Sequence, residues 1–275
     1  MTQSRISFHI HHNLTPHRLQ ILLMALSHSV SLSSLAGHCG LSESVVRKVI
    51  LPAIRQIRLI EIGNHLTPAG EKFSRLAELL PDRFPEAMHL WLYTAYTFDQ
   101  TCGISWAYAQ VVDALWASQE RVLNTLALSQ IAGIVIEKAT QTFGLSAEAI
   151  AFSNRSVRGA LNWLHPLNPP VLIYQDGQKI FRRRFFCPEI TFLWAIDFLY
   201  RSFQVPYGVR MFLTPDRLEQ ICRLCILDPS GIDNVLAMAK RISDYDRGGL
   251  FDSGTEGGMG RWILLARPLP VPELL

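Results

Sequence analysis

The sequence predicts a mainly α-helical protein with short β-hairpins, and three observations predict it. Helix starts recur in which a capping side chain precedes proline: Thr15-Pro16, Thr67-Pro68, Thr214-Pro215 and Asp228-Pro229. Proline's fixed φ suits the first helical position, where its missing N–H removes no bond. Apolar residues then return at steps of three and four, as in Leu19, Leu22, Leu23 and Leu26. Between such stretches lie Gly63-Asn64 and Asp176-Gly177, each between β-rich runs, the kind of pair that closes a tight hairpin.

Composition bounds the rest. A chain of 275 residues, 49% hydrophobic and 18% charged, holds enough apolar material for two or three compact units and too much for disorder. No run approaches the roughly 18 apolar residues of a membrane span. The stretch from Leu19 to Leu26 could pass for a short signal-peptide core, but Gln20 interrupts it and the leader is rich in histidine rather than lysine or arginine; a buried helix fits better. Five cysteines, an odd number, suit free thiols in a reducing cytoplasm. Cys222 and Cys225 form a CxxC on a helix without a second ligand pair, so packed thiols are expected there. Three parts follow: 1–80, 81–186 and 187–275.

In the first part, Leu32 to Cys39 reads as a second short helix and Gly40-Leu41 as a turn. Ser42 caps a third helix with Val45, Val46, Val49, Ala53, Ile54 and Ile57 inside. Leu59-Ile60-Glu61-Ile62 and Leu66 onward read as two short strands around Gly63-Asn64-His65, and Thr67 caps a further helix. Helix, helix, turn, helix, hairpin, helix over residues 15–76 is the order of a winged helix-turn-helix. If the third helix enters the major groove of duplex DNA, Ser42, Ser44, Arg47 and Lys48 reach it, with Arg55, Arg58, Asn64 and His65 near phosphates. Pro52, deep in that helix, predicts a bend near Val49 to Leu51 or an early end and restart.

Charge is uneven along the chain: +4 over 1–80, −4 over 81–152, +5 over 153–186 and −2 over 187–275. Two basic blocks between acidic ones suit a polyanionic partner. The aromatic residues of 86–117 recur at helical steps and are expected to be buried. Residues 121–143 and 146–152 read as helices, and Ser153 or Ser156 opens another through Leu164. A hairpin follows, with strands 171–174 and 179–186. This is a second winged-helix-like module, with Arg155 and Arg158 on its helix and Lys179, Arg182, Arg183 and Arg184 on its wing as phosphate ligands. The competing reading is that these arginines pair with neighbouring carboxylates.

The last part reads as a small helical bundle, with helices from Glu189, Thr214 and Asp228. The Gly-rich stretch 247–260 reads as a flexible or partner-ordered loop, since it lacks the Gly-Lys-Ser/Thr ending of a phosphate-binding loop.

No HExxH, G-x-S-x-G or nuclease-like acidic pair is found, so no catalytic residue, metal or cofactor is expected. The histidines His9, His11, His12 and His17 read as incidental features of a mobile terminus. "RLIEIGNHLTPAGEKF" resembles the wing of bacterial winged-helix regulators. Together with "LWLYTAYTF" (90–98), "SVRGALNWLHPL" (156–167) and "AIDFLYR" (195–201), the layout over about residues 40–265 resembles a bacterial family of unknown function encoded beside DNA-phosphorothioation and other phage-defence genes. The resemblance implies a DNA-associated accessory role in defence, DNA modification or a mobile element, and supplies no catalytic residues. The expectation is therefore a cytoplasmic, non-enzymatic protein that binds duplex DNA. Other subunits of the same system are further partners, homodimerisation stays open, and no membrane is involved. Two alternatives stay open: a structural adaptor that docks proteins through its winged helices, and an RNA-binding component of a ribonucleoprotein.

Overall fold

Side-chain caps fix the helix starts of the first part. In the computed structural model, which describes residues 6–28, 31–246, 248–258, 260–269 and 271, a two-residue strand β1 (Ile6–Ser7) leads in. The Thr15 hydroxyl accepts from Arg18 N to open α1 (Pro16–Ser27), and Ser31 accepts from Ser34 N to open α2 (Leu32–Cys39). Gly40 stops α2 in the left-handed region at φ 60°. Ser42 accepts from Val45 N and starts α3 (Glu43–Val45), which passes through a π-helical turn, Val46–Ile50, into α4 (Leu51–Gln56).

The π turn is this helix's answer to Pro52. Proline cannot donate to the carbonyl four residues back, and its ring collides with it. Widening the turn lets Leu51 N reach Val46 O, and the helix continues without breaking. After it, the expected hairpin shrinks to one bridge, Ile60 opposite Leu66, held by Glu61 N→His65 O at 2.8 Å. Thr67 then caps α5 (Pro68–Leu79). The glycine of "LTPAGE" has a packing cause: a Cβ on Gly70 would sit 2.0 Å from the Leu59 carbonyl oxygen.

The second part begins with α6 (Phe84–Phe98) and α7 (Gly103–Ala117). Next come β2 (Glu120–Val122), α8 (Thr125–Phe143), β3 (Ile150–Ala151), α9 (Asn154–Leu164), β4 (Leu172–Gln175) and β5 (Gln178–Arg182). Antiparallel pairing gives the sheet order β2-β5-β4, while β3 pairs in parallel with β1. The β4–β5 turn places Asp176 at φ 51° and Gly177 at φ 73°, the two positive values of a type I′ hairpin. Two sequence expectations are corrected. Residues 120–122 form a strand and not the start of a helix, and 146–152 form a 3-10 turn, Ala147–Ala149, followed by β3.

The third part repeats this plan and is not a plain helical bundle. Its elements are α10 (Glu189–Ser202), β6 (Met211–Phe212), α11 (Pro215–Cys225), α12 (Ile232–Asp246), β7 (Phe251–Glu256) and β8 (Gly260–Leu265). The sheet order β6-β8-β7 matches β2-β5-β4 term for term, with one helix directly before the first strand (α7, α10) and two between it and the hairpin (α8 and α9, α11 and α12); α6 has no counterpart in the third part. The Gly-rich stretch expected as a loop contains the whole of β7 and the first residue of β8; Arg247 and Met259 lie outside the described residues. The molecule is mainly helical, 60% helix, with small antiparallel sheets.

All three parts share one contiguous core, and α6 is its hub. Trp91 on α6 donates to Ile57 O at the end of α4 (2.8 Å). His89, fully buried, donates from Nε2 to Leu224 O on α11 and meets the Tyr108 hydroxyl of α7 at Nδ1, both at 2.8 Å. A carbonyl only accepts, so the Nε2–H tautomer follows. Glu86 receives Arg184 in a two-pronged pair at 2.7 and 2.9 Å, plus Asn168 N and the Thr191 hydroxyl. The five cysteines are buried and unpaired as thiols.

Candidate nucleic-acid interface

The third helix of the first part carries an open cationic surface. Ser42, Ser44, Arg47 and Lys48 are exposed. Arg47 and Lys48 sit within the π turn, whose inner residues Val46 and Ile50 are fully buried and so hold the turn's other side outward. Neither cation has a hydrogen bond or ion pair among the described residues.

The residues around this pair divide. Arg55 donates to Asn64 Oδ1 (3.2 Å) and Glu61 O (3.4 Å), fastening the wing turn to α4. Asn64 and Gly63 hold that turn in the left-handed region at φ 66° and 95°. Arg58 reaches away to the α6–α7 loop, pairing with Asp99 at 2.6 Å and with the Thr101 hydroxyl at 2.9 Å. Hydrogen bonds from Thr101 and then Arg58 hold the Asp99 carboxyl down at about 2. Arg55 and Arg58 thus also act as scaffold, tying the wing turn and the α6–α7 loop to the third helix, with Asn64 accepting through Oδ1. His65, at the base of the wing, is exposed.

The second basic block is largely consumed by the fold. Arg182 is exposed but paired with Glu120 across the sheet at 2.5 Å. Arg183 lies 3.8 Å above the Trp116 ring, donates to Trp116 O at 2.7 Å and faces Asp228. Arg184 is inside the core against Glu86. Burial alone would raise the Glu86 carboxyl, but the Arg184 guanidinium outweighs it and the group ends below its usual range. Strand β5 ends at Arg182, so the alternation expected through residue 186 does not continue; the chain turns inward and takes Arg183 and Arg184 with it. Arg183 and Arg184 are therefore held inside the fold, while Arg182 stays at the surface beside Glu120. Lys179 is half-buried, which lowers its pKa.

Arg155 and Arg158 are exposed on α9, as expected. The sequence reading missed what lies beside them. Residues 8–14 form a strap along α9: the His9 Nδ1–Ser156 Oγ distance is 2.6 Å, and Asn162 Nδ2 donates to His12 O at 3.0 Å. Between these contacts the Ile10 carbonyl packs on Gly159, where a Cβ would come within 2.1 Å of its oxygen. Phe8, Ile10 and Leu14 are buried, so the histidine-bearing segment is fixed and not a mobile end. The alternation Ile6, Phe8, Ile10 against Ser7, His9, His11 is the signal that could have found it. No group of three metal-ligating side chains is placed to hold an ion among the described residues, and no described helix is long and apolar enough to cross a membrane.

In the third part several cations are paired at the surface. Arg261 pairs with Asp233, Lys240 with Asp252 and Arg210 with Glu256. Two of these pairs, Arg261–Asp233 and Lys240–Asp252, run between α12 and the hairpin. Comparison with protein-family models, curated proteins and solved structures finds no match for this chain.

Proposed function

We propose that the three parts are winged-helix units and that the first binds duplex DNA, in a non-catalytic accessory or regulatory role in a bacterial defence, DNA-modification or mobile-element system. One observation carries the reading: Arg47 and Lys48 stand exposed in the π turn of the third helix, beside Ser42 and Ser44 at its start, with no carboxylate drawn to them among the described residues. An uncovered helix N-terminus with cations one turn on fits the groove, where early residues reach base edges and cations reach phosphate. Arg47 and Lys48 are consecutive residues of the π turn and both are exposed.

Binding of labelled duplex DNA across a salt series tests the proposal. Each phosphate contact contributes about 0.9 to the log–log salt slope. The double variant R47A/K48A lowers that slope by about 2 and weakens binding at least tenfold, with unfolding unchanged. Equal binding by the variant overturns the reading. Binding to single-stranded RNA in preference to duplex DNA supports the ribonucleoprotein alternative, and absence of nucleic-acid binding with retention of co-purifying proteins supports the adaptor.

A further inference from the structure

We propose that a cavity between α6 and α10 is a binding site for a small aromatic carboxylate, its ring held against Trp91 and Phe98 and its carboxylate taken by Arg201. The inference goes beyond the DNA-binding reading and does not depend on it.

The space comes first. Trp91, Thr94, Ala95 and Phe98 of α6 line a cavity of about 120 Å³ together with Cys102 at the start of α7 and Val271, among the described residues. An apolar cavity of about 150 Å³ is enough to admit benzene, so this one suits a single six-membered ring. Its walls are held in place: Trp91 Nε1 donates to Ile57 O at 2.8 Å, Thr94 Oγ1 to Leu90 O at 2.7 Å and Cys102 Sγ to Gln56 O at 3.1 Å. Each polar atom of these three side chains is thus spent on a backbone carbonyl, and what they offer the cavity is apolar surface. Phe98 is 51% exposed beside it, an aromatic ring left half in water that a ligand would cover. A wider groove of about 720 Å³ shares Arg58, Trp91 and Asp99 with the cavity and continues to Ile60, Ile62 and Pro68 beside the wing, which gives a ligand a way in.

Charge then selects the ligand. Arg201 lines the cavity and lies 4.5 Å over the Phe98 ring. Its Nε is bound to Asp197 at 2.8 Å, and that carboxylate, fully buried, also accepts from the Tyr207 hydroxyl at 2.9 Å and from Leu269 N at 2.8 Å. The acid is saturated and out of solvent, whereas the Arg201 side chain keeps 34% of its surface exposed. Its two Nη groups make no hydrogen bond among the described residues. A guanidinium fastened in this way presents a pair of donors whose planar geometry matches a carboxylate. The other guanidinium of the lining, Arg58, is already balanced by Asp99 and bonded to the Thr101 hydroxyl. A cationic ring would meet both arginines, and a neutral one would leave the Arg201 donors without an acceptor.

Phenylacetate probes the site, with benzyl alcohol and benzylamine as its neutral and cationic counterparts, by methyl NMR of the full chain. The Thr94 and Ala95 methyl groups report on the cavity. Phenylacetate should shift them with a Kd on the order of 1 mM, as suits a ligand of its size. It should bind at least about tenfold tighter than either counterpart. A95L fills the cavity and is expected to abolish the response to phenylacetate and to benzyl alcohol. R201K keeps a cation beside Asp197 and removes the paired donors, so phenylacetate should fall to within about threefold of benzyl alcohol, whose own binding stays as in wild type. This second variant reports on the carboxylate contact even where A95L loosens α6. The proposal is overturned if phenylacetate leaves the Thr94 and Ala95 methyls unmoved at concentrations on the order of 20 mM, well above that Kd. It is equally overturned if the three probes bind alike, or if A95L or R201K binds phenylacetate as wild type does.

Discussion

The two basic blocks are the same kind of sequence signal and end in opposite places. Arg47 and Lys48 are displayed in a π turn over a buried Val46 and Ile50, whereas Arg183 and Arg184 are drawn inward, one stacked on Trp116 and the other locked against Glu86. The difference lies in the carboxylates and rings that the fold delivers. Glu86 and Glu120 come from the acidic stretch between the blocks, and Asp228 from the acidic stretch after them. A cluster of arginines is therefore an interface only after long-range partners have been accounted for, and in this chain the second block's wing serves stability.

Four predictions would break or sharpen that contrast. The largest effect belongs to the buried pair. Glu86→Gln leaves the Arg184 charge in the core uncompensated and is expected to cost roughly 3–5 kcal/mol in urea unfolding, while R47A/K48A stays within about 0.5 kcal/mol of wild type. Similar losses for both would erase the distinction between interior and displayed cations.

Next comes the pH response of the same hub. Burial brings the His89 pKa down to about 4 from 6.5. A depressed histidine binds its proton more readily when unfolded, so its contribution is full above pH 6.5 and is lost as pH falls toward 4. The loss amounts to roughly 3 kcal/mol over that window, and His89→Gln should flatten this part of the stability profile. A wild-type profile that stays level there contradicts the buried neutral ring.

A smaller effect separates the covered third helix from the uncovered one. Gly159→Ala would place a Cβ 2.1 Å from Ile10 O. It is expected to cost about 1–3 kcal/mol and to expose the chain ahead of Thr15 to limited proteolysis. Ala53→Gly on α4, a helix-interior glycine without a strap to displace, should cost about 1 kcal/mol and leave that region protected. The smallest effect is Arg182→Ala. Its pair with Glu120 is solvent-screened at the surface, so the urea midpoint should scarcely move and DNA affinity should not change.

Helices were legible because their starts are local: Thr15, Ser31, Ser42, Thr67 and Thr214 each accept a hydrogen bond from a backbone N–H three residues on. Strands were not. β7, Phe-Asp-Ser-Gly-Thr-Glu, has little β propensity and exists through its partner, with Gly254 opposite Trp262 and the indole lying against it. That pairing cannot be seen in the stretch itself, so the third unit was taken for a bundle with a loose loop. Pro52 correctly marked a disturbance in the third helix but could not say that a π turn would absorb it. The candidate site divides in the same way. Exposure of Arg47 and Lys48 followed from the helical period, which puts Val46 and Val49 on the other side. The fate of Arg184 depended on Glu86, 98 residues away.

Hydrogen–deuterium exchange of the full chain with and without a duplex tests the central claim most directly. DNA should slow exchange at residues 42–50 and at the wing, 60–66, and leave the hairpin 251–265 of the third unit unchanged. Slowing confined to that third unit, or none at 42–50 under saturating duplex, would contradict the assignment of Arg47 and Lys48 as the contact surface.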